Sequence, residues 1–587
     1  MAQSPIAHAD DEVAAGQQCD LIIIGAGIYG IQAARTYLEL HPTAKVNILE
    51  ASSSIGGVWS HERIYDAFWT QTPLGILGFS DQPMHDVPKE ECYYGFFKAK
   101  HVSTYLKRYC EDHVYDGSSL GSRVQMQTKV GSVKKDEGEW HVQCNDGEIS
   151  FRSRHLFDAS GLTSTPNWPS LPSQSEFRGM IIHHKEFASF ERRLAASPEK
   201  KRSIAVLGGA KSAADVAYSC AKAGMDVTWI IRRSGSGPAA LVSAKGKAGY
   251  ANSNELSYTR MTSLFLASIF SPAMGYHWLS HWLNRSMAGR WLVKKLWQQT
   301  QDEAVEEADY DREDGKANGF ANLRPDTDLF WQNDSTGVNQ RKDFFDVIAQ
   351  KVKVVREDIS HLDSTGLVLH DTDRSHVDAD IIVCATGWKL DHPYYSEESA
   401  VAFGLPVRNH LLDPSTKTRW LKLEQDAEAD VLRRFPILDS EWAYRQSAYP
   451  RYTETVETPF RLWKSMVPPS DSSLVFLGKL MLGNHFRDAE VQALFACAVL
   501  DGNARLPVKP EMEQDIARTT VWCRRRYLRK GLSGNWFYWD TIPYHDSLLA
   551  HIGLSAHRGK SWMQDLFRPG FSEDLQGLLP EYRGKYY

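Results

Sequence analysis

The chain turns apolar at a short β-branched run, Asp20-Leu21-Ile22-Ile23-Ile24. An unbroken apolar run of this length predicts a strand buried on both faces of a parallel sheet. Gly25-Ala26-Gly27-Ile28-Tyr29-Gly30 follows it. A helical stretch then runs from Ile31 to Leu40 and ends before Pro42, and a second strand, Lys45 to Leu49, is closed by Glu50. The pattern returns at Ser203 to Leu207. Another buried strand leads into Gly208-Gly209-Ala210-Lys211-Ser212-Ala213, a helix from near Ala214-Asp215, and a strand from Val227 to Ile231 closed by Arg232-Arg233. The two turns lie too far apart for a solenoid repeat, but their spacing suits two nucleotide domains.

The expected fold is α/β, with two Rossmann-like dinucleotide-binding domains. The division runs as a disordered N-terminus over 1–18, the first part of one domain over 19–176, the second domain over 177–375, the rest of the first over 376–505, and a C-terminal extension over 506–587. A helical insertion occupies about 235–343 of the second domain. Within it, Met261 to Asn284 carries no Lys, Arg, Asp or Glu over 24 residues. That length can span a bilayer, but Pro272, Gly275, two histidines and many Ser and Thr residues oppose a span. Trp278 and Trp282 share one helical face, and Arg285, Arg290, Lys294 and Lys295 follow. The reading is a hydrophobic cap over a substrate tunnel, or a peripheral membrane contact through 261–297. Residues 301–315 hold eight acids and one Arg, a solvated helix or mobile loop. The tail, with Trp522, Trp536, Phe537, Tyr538 and Trp539, reads as a packed extension.

Composition narrows the classes. In 587 residues, 42% are hydrophobic and 24% charged, so a sizeable core is expected. A net charge of −6 gives no basic field for nucleic acid. Eight cysteines occur with no CxxC among them, which excludes a disulfide-dense scaffold, a zinc ribbon and a CxxC dithiol reductase; no metal site is expected. The polar start lacks the basic and apolar regions of a signal peptide, so a reducing compartment, most simply the cytoplasm, is the default.

Each residue of the first turn has a task. Gly25 permits the tight turn, Gly27 lets a pyrophosphate approach the backbone, and Gly30 lets helix and strand pack closely. The turn from Gly25 to Gly30, with Ala26, Ile28 and Tyr29 between the glycines, offers helix N-terminal amides to phosphate, and Glu50 suits a ribose. A second glycine pair, Gly56-Gly57, followed by Val58 and Trp59, is the pattern of flavin-binding oxidoreductases and favours FAD here. The second turn is degraded, with Ala210 and Ala213 at glycine positions. Gly208, Ala210, Lys211 and Ser212 are its candidate phosphate residues. Arg232 and Arg233 suit a 2′-phosphate, which favours NADPH over NADH.

These motifs resemble the class B flavin monooxygenases, the flavin-containing and Baeyer–Villiger branches. Phe177-Arg178-Gly179 with His183 and Phe187 is similar to FxGxxxHxxx(Y/F), and the aromatic Phe187 resembles the flavin-containing branch. Asp158-Ala159-Ser160-Gly161 and Ala385-Thr386-Gly387-Trp388 resemble the two ATG-like crossings between nucleotide domains, and Phe79-Ser80-Asp81-Gln82-Pro83 resembles FSDFP. Gly478 to Gly483 with Ala489 to Ala493 resembles the final flavin-binding strand and helix. The resemblance covers roughly 19–235 and 345–505 and looks most like the FAD-dependent monooxygenases of fungal secondary-metabolite clusters. It implies flavin contacts at Val130, Thr386 and Gly387. It also implies that Gln71, nine residues before Ser80, stands where relatives carry an Asn beside the flavin, making Gln71 the candidate catalytic residue. His183 is given a coupling role, not an acid–base one. Arg63 and Asp66 read as a surface ion pair.

The expected function is insertion of one oxygen atom from O2 into a lipophilic small molecule, by hydroxylation, epoxidation or heteroatom oxidation. The expected cofactors are FAD and NADPH. Baeyer–Villiger oxidation of a ketone, a flavin-dependent dehydrogenase or reductase, and a non-catalytic NADPH sensor stand as alternatives.

Overall fold

The computed structural model describes residues 16–196, 202–331, 336–446, 455–559 and 561–587. The N-terminal segment expected to be disordered lies outside them up to residue 15, while Gln17–Gln18 forms a short strand against Phe151 and Arg152.

Two five-stranded, all-parallel sheets organise the chain. The first runs Leu474–Phe476, His155–Asp158, Leu21–Ile24, Val46–Leu49, Val124–Gln125. Its strands alternate between two cores, as a period of two requires. Leu21, Ile23 and Phe157 pack towards the helices Ile28–Leu40 and His485–Leu500. Ile22, Ile24 and Leu156 pack against Trp140 and Val142 of a small four-stranded sheet. The second sheet runs Met180–His183, Ile381–Cys384, Ser203–Leu207, Asp226–Ile231, Val352–Arg356. Ile381–Cys384 therefore belongs to the second sheet, not to the returning half of the first domain, and the boundary expected at 375/376 moves beyond Cys384. A buried apolar strand of four residues fits the middle of either sheet, so the chain pattern alone could not place it.

Both first helices begin inside their glycine turns, at Ile28 and Lys211, about three residues earlier than the apolar periodicity marks. Among the described residues, the regular elements of the insertion are helices and one two-stranded ladder, Leu241–Ser243 with Gly337–Asn339. Its long helix Met287–Ala308 takes in the first half of the acidic run. The C-terminal extension is also helical and sets Trp522, Phe537, Tyr544 and Tyr582 in the main core.

Candidate dinucleotide-binding and oxygenation site

The carboxyl ends of the first sheet converge on one crevice, where open α/β sheets bind ligands. Gly25 has φ +100°, and an added Cβ would press on the Ala159 carbonyl at 2.7 Å. A Cβ on Gly30 would collide with the Gly25 carbonyl oxygen. Gly27 has ordinary φ, −77°, and its nearest neighbour for an added Cβ is Gly57 Cα at 3.9 Å. The two glycine turns therefore face each other, and Gly56 N–H donates to the Ala26 carbonyl at 2.8 Å. Between them is a floor without side chains. The first-turn amides of the helix at Ile28 have no intrahelical acceptor and open onto it. This cradle, which any larger side chain at Gly27 would fill, fits the pyrophosphate of a dinucleotide.

Glu50 is buried beside it and accepts from Ala26 N–H and Ser52 N–H, each at 2.8 Å, which leaves lone pairs for ribose hydroxyls. Ala26, Ile28 and Tyr29 bury their side chains. Tyr29 Oη donates to Asp488 at 2.7 Å, so its ring holds two helices together and only its backbone faces the crevice. Val58 lies in the turn Gly57–Trp59, Trp59 stacks on Phe68 with centroids 5.4 Å apart, and Val130 opens a strand of the four-stranded sheet.

Two further groups lie at this edge, on residues whose motifs gave them no individual role. Asp158 and Lys479 are fully buried and 2.9 Å apart. The carboxylate also accepts from Ser160 Oγ at 2.8 Å, Tyr394 Oη at 2.8 Å and Tyr395 Oη at 3.2 Å. Burial pushes the Asp158 carboxyl up, but Lys479, His392 and the Ser160 hydrogen bond together hold the group well below the usual carboxylate range. Glu490, on the helix His485–Leu500, accepts from Ser80 N–H at 3.0 Å and Ser80 Oγ at 2.5 Å, tying the FSDFP-like segment to the final helix. Burial pushes its carboxyl up to about 7. A raised folded-state pKa stabilises fully below the unfolded value near 4.5 and loses that contribution as pH rises through 7. Thermal denaturation should therefore show wild type losing about 3 kcal/mol relative to Glu490→Gln between about pH 5 and about pH 8. Parallel pH profiles for the two proteins would contradict the assignment.

The second sheet repeats the arrangement. Gly208, at φ +134°, has no room for a Cβ against the Ala385 carbonyl, and Ala210 caps the helix Lys211–Lys222. Ala213 is buried and fits where a glycine was expected. Ser212 is half-buried in the first turn of that helix. Arg232 is exposed at its strand end, and Arg233 beside it pairs with Glu357 at 3.2 Å. Thr386 Oγ1 donates to the Asn167 carbonyl at 2.6 Å, and Asn167 N–H donates to the Gly387 carbonyl at 3.0 Å, so the two crossings are stitched together. His183 Nε2 lies 3.0 Å from the same Gly387 carbonyl, and burial holds its imidazole below the usual range. Arg63 and Asp66 do not pair. Arg63 lies over the Trp388 ring at 4.9 Å and Asp66 binds Lys98 at 2.7 Å, because the chain turns between them.

Gln71 and Lys211 lie on either side of one strip of the insertion. The strip Gly337–Asn339 of the insertion runs between them, and a Cβ on Gly337 would touch Lys211 Cδ at 2.8 Å and Gln71 Oε1 at 3.2 Å. Val338 N–H donates to Gln71 Oε1 at 2.7 Å, and Asn254 Nδ2 donates to the Gln71 carbonyl at 2.7 Å. Gln71 Nε2 is buried without a hydrogen-bond partner. Gln340 Nε2 donates to the Thr70 carbonyl at 3.0 Å, and Arg341 binds the Ala67 carbonyl and Asp215. Lys211 pairs with the same Asp215, and burial brings its ammonium down to about 8. The fingerprint residue Lys211 is thus already engaged by protein.

Two parallel sheets, each with a glycine turn at its carboxyl edge, are the architecture of the two-dinucleotide oxidoreductases. The pyridine nucleotide-disulphide oxidoreductase profile matches residues 22–245. The eight cysteines are all free thiols. The chain is 31% identical to FAD-dependent monooxygenase DEP4 of Fusarium langsethiae, covering 96% of this chain and 94% of that one. It is 29% identical to FAD-dependent monooxygenase resA of Aspergillus sclerotiorum, covering 96% and 98%. Its fold is similar to the closed crystal structure of cyclohexanone monooxygenase, with a TM-score of 0.56 over 98% of both chains at 16% identity. The chain belongs to the class B flavin monooxygenase family and is an FAD-dependent oxidoreductase of that family.

Proposed function

We propose that the protein is an NADPH-dependent monooxygenase that transfers one atom of O2 to a lipophilic small molecule in secondary-metabolite biosynthesis, FAD binding at the first glycine turn and NADPH at the second. Bound flavin supplies the redox and oxygen-activating chemistry, with NADPH as hydride source. What the chain contributes is binding, orientation and exclusion of water. Gly27 and Gly57 form the pyrophosphate floor and Glu50 faces the ribose. The observation that carries an oxygenase reading over a simple dehydrogenase is the Gln71 amide. Its oxygen is held by Val338 N–H, the Gln71 backbone carbonyl is held by Asn254, and the buried NH2 has no protein partner. An unsatisfied buried donor of this kind is costly unless a ligand takes it.

The test is NADPH-dependent incorporation of label from 18O2 into lipophilic alkenes, phenols and ketones by the yellow, flavin-loaded protein. Hydroxylated or epoxidised product supports the reading, and ester from a ketone would make the enzyme a Baeyer–Villiger oxidant. NADPH oxidation that yields only H2O2 with every substrate overturns oxygenation. Arg232→Ala should raise KM for NADPH about tenfold while leaving KM for NADH unchanged, as expected of a guanidinium on the 2′-phosphate. Equal effects on both nucleotides would remove Arg232 from that role.

A further inference from the structure

The charge-free segment of the insertion has a surface that neither nucleotide domain uses. The helices His277–Arg285 and Met287–Ala308 pack against each other and bury Leu283, Asn284, Val293 and Trp297 beneath them. Trp297 Nε1 donates to the Phe265 carbonyl at 3.2 Å, and its ring meets Phe330 and Trp539 edge-on, so the pair is anchored in the core. The outer side is apolar. Trp278 is 66% exposed, Trp291 61% and Met287 82%, with Trp282, Leu292 and Leu296 beside them. The short helix Trp562–Phe567 lies against the start of this pair, since Tyr276 Oη donates to Asp565 at 3.0 Å. It exposes Trp562, Met563 and Phe567. Together the two regions hold nine of the 19 exposed large hydrophobic side chains among the described residues, and four of the five exposed tryptophans. A concentration of this size marks an interaction surface, since scattered single residues are the norm.

Charge selects the occupant. From residue 261 to 301 the chain has no Asp or Glu, yet it carries Arg285, Arg290, Lys294 and Lys295 in a protein of net charge −6. Lys295 lies over the Trp291 ring at 6.0 Å, which places a cation directly beside the exposed indole. The acids of the longer helix, Asp302, Glu303, Glu306 and Glu307, begin only beyond Trp291, Leu292 and Leu296, and Glu303 is paired with Lys247, so a second copy docked symmetrically on the tryptophan face would set these four cations against four others. An anionic lipid surface has the opposite character: headgroup charge for the lysines and arginines, and an interfacial layer where indoles settle. No helix among the described residues is long and apolar enough to cross a bilayer, so the contact is in the plane of the surface.

We propose that the basic, apolar stretch 277–297 of this helical pair, together with Trp562–Phe567, docks the protein onto the surface of membranes rich in anionic phospholipid. The test is flotation of the full-length, flavin-loaded protein with phosphatidylcholine vesicles, with and without phosphatidylserine. Wild type should float with the phosphatidylserine vesicles and release as salt is raised. Lys294→Gln/Lys295→Gln should weaken that binding by about tenfold or more. Trp278→Ser/Trp282→Ser/Trp291→Ser should abolish it while leaving flavin absorbance and NADPH oxidation at the wild-type level. Wild type that stays unbound to both vesicles overturns the proposal, as does a triple variant that floats like wild type. A dimer that the tryptophan variant converts to monomer, without flotation, would assign the face to self-association and also overturn it.

Discussion

Replacing Gly27 by leucine should give a folded but colourless protein. Gly27 has ordinary backbone dihedrals, and the nearest atom to an added Cβ is 3.9 Å away, so the apo chain has room for the first carbon. The rest of a leucine side chain would lie on the floor between the two glycine turns, where the pyrophosphate must approach the backbone. Far-UV circular dichroism should match wild type, with flavin absorbance lost on purification and not restored by added FAD. Gly30→Ala makes the contrast. Its Cβ would collide with the Gly25 carbonyl, so this smaller change should destroy the turn itself and the soluble fold with it. If Gly27→Leu retains stoichiometric FAD, the pyrophosphate does not lie where the two turns meet.

Lys479→Met should leave a folded protein that is strongly destabilised at the carboxyl edge of the first sheet. It leaves Asp158 buried with its hydroxyl donors but without its cation, and breaking a buried pair on one side typically costs about 3–5 kcal/mol. The melting temperature should fall by about 2–4 °C, the shift expected for a chain of this length. Asp158→Asn added to Lys479→Met should recover much of this, because the amide needs no counter-charge and can still accept from Tyr394 and Tyr395. A double variant no more stable than Lys479→Met alone would mean that the pair contributes through shape, not charge.

The parts of the molecule legible in the sequence were those written into local backbone constraints. Gly25 and Gly208 sit at positive φ, and Gly30 and Gly208 have a carbonyl where a Cβ would be, so their positions along the chain reported the turns directly. The strands beside them were equally plain, being short apolar runs. Contacts made across long separations left no such trace. Asp158 and Lys479 meet only because His155–Asp158 pairs with Leu474–Phe476. Nothing about Ile381–Cys384 as a run of residues says which sheet it joins. Gln71 was found through resemblance, but the strip that holds it was invisible, since Gly337, Gln340 and Arg341 fit no motif and are polar or small enough to read as loop. Tyr29 carried the turn's spacing while its side chain did something else, because a helix N-terminus offers a ligand its amides and its opposite face packs on a neighbour.

The strip 337–341 also bears on how the molecule is assembled. Its anchors on Ala67, Thr70 and Gln71 close loops of 267 to 274 residues, while Arg341 also reaches Asp215 in the other domain. Those partners are in place only when both sheets have formed, and closures of that length carry a large entropic cost. The seam between the domains should therefore form late in folding and open before either sheet. Amide exchange at Val338 should accordingly be faster than at Ile23 or Val206, even though all three are buried.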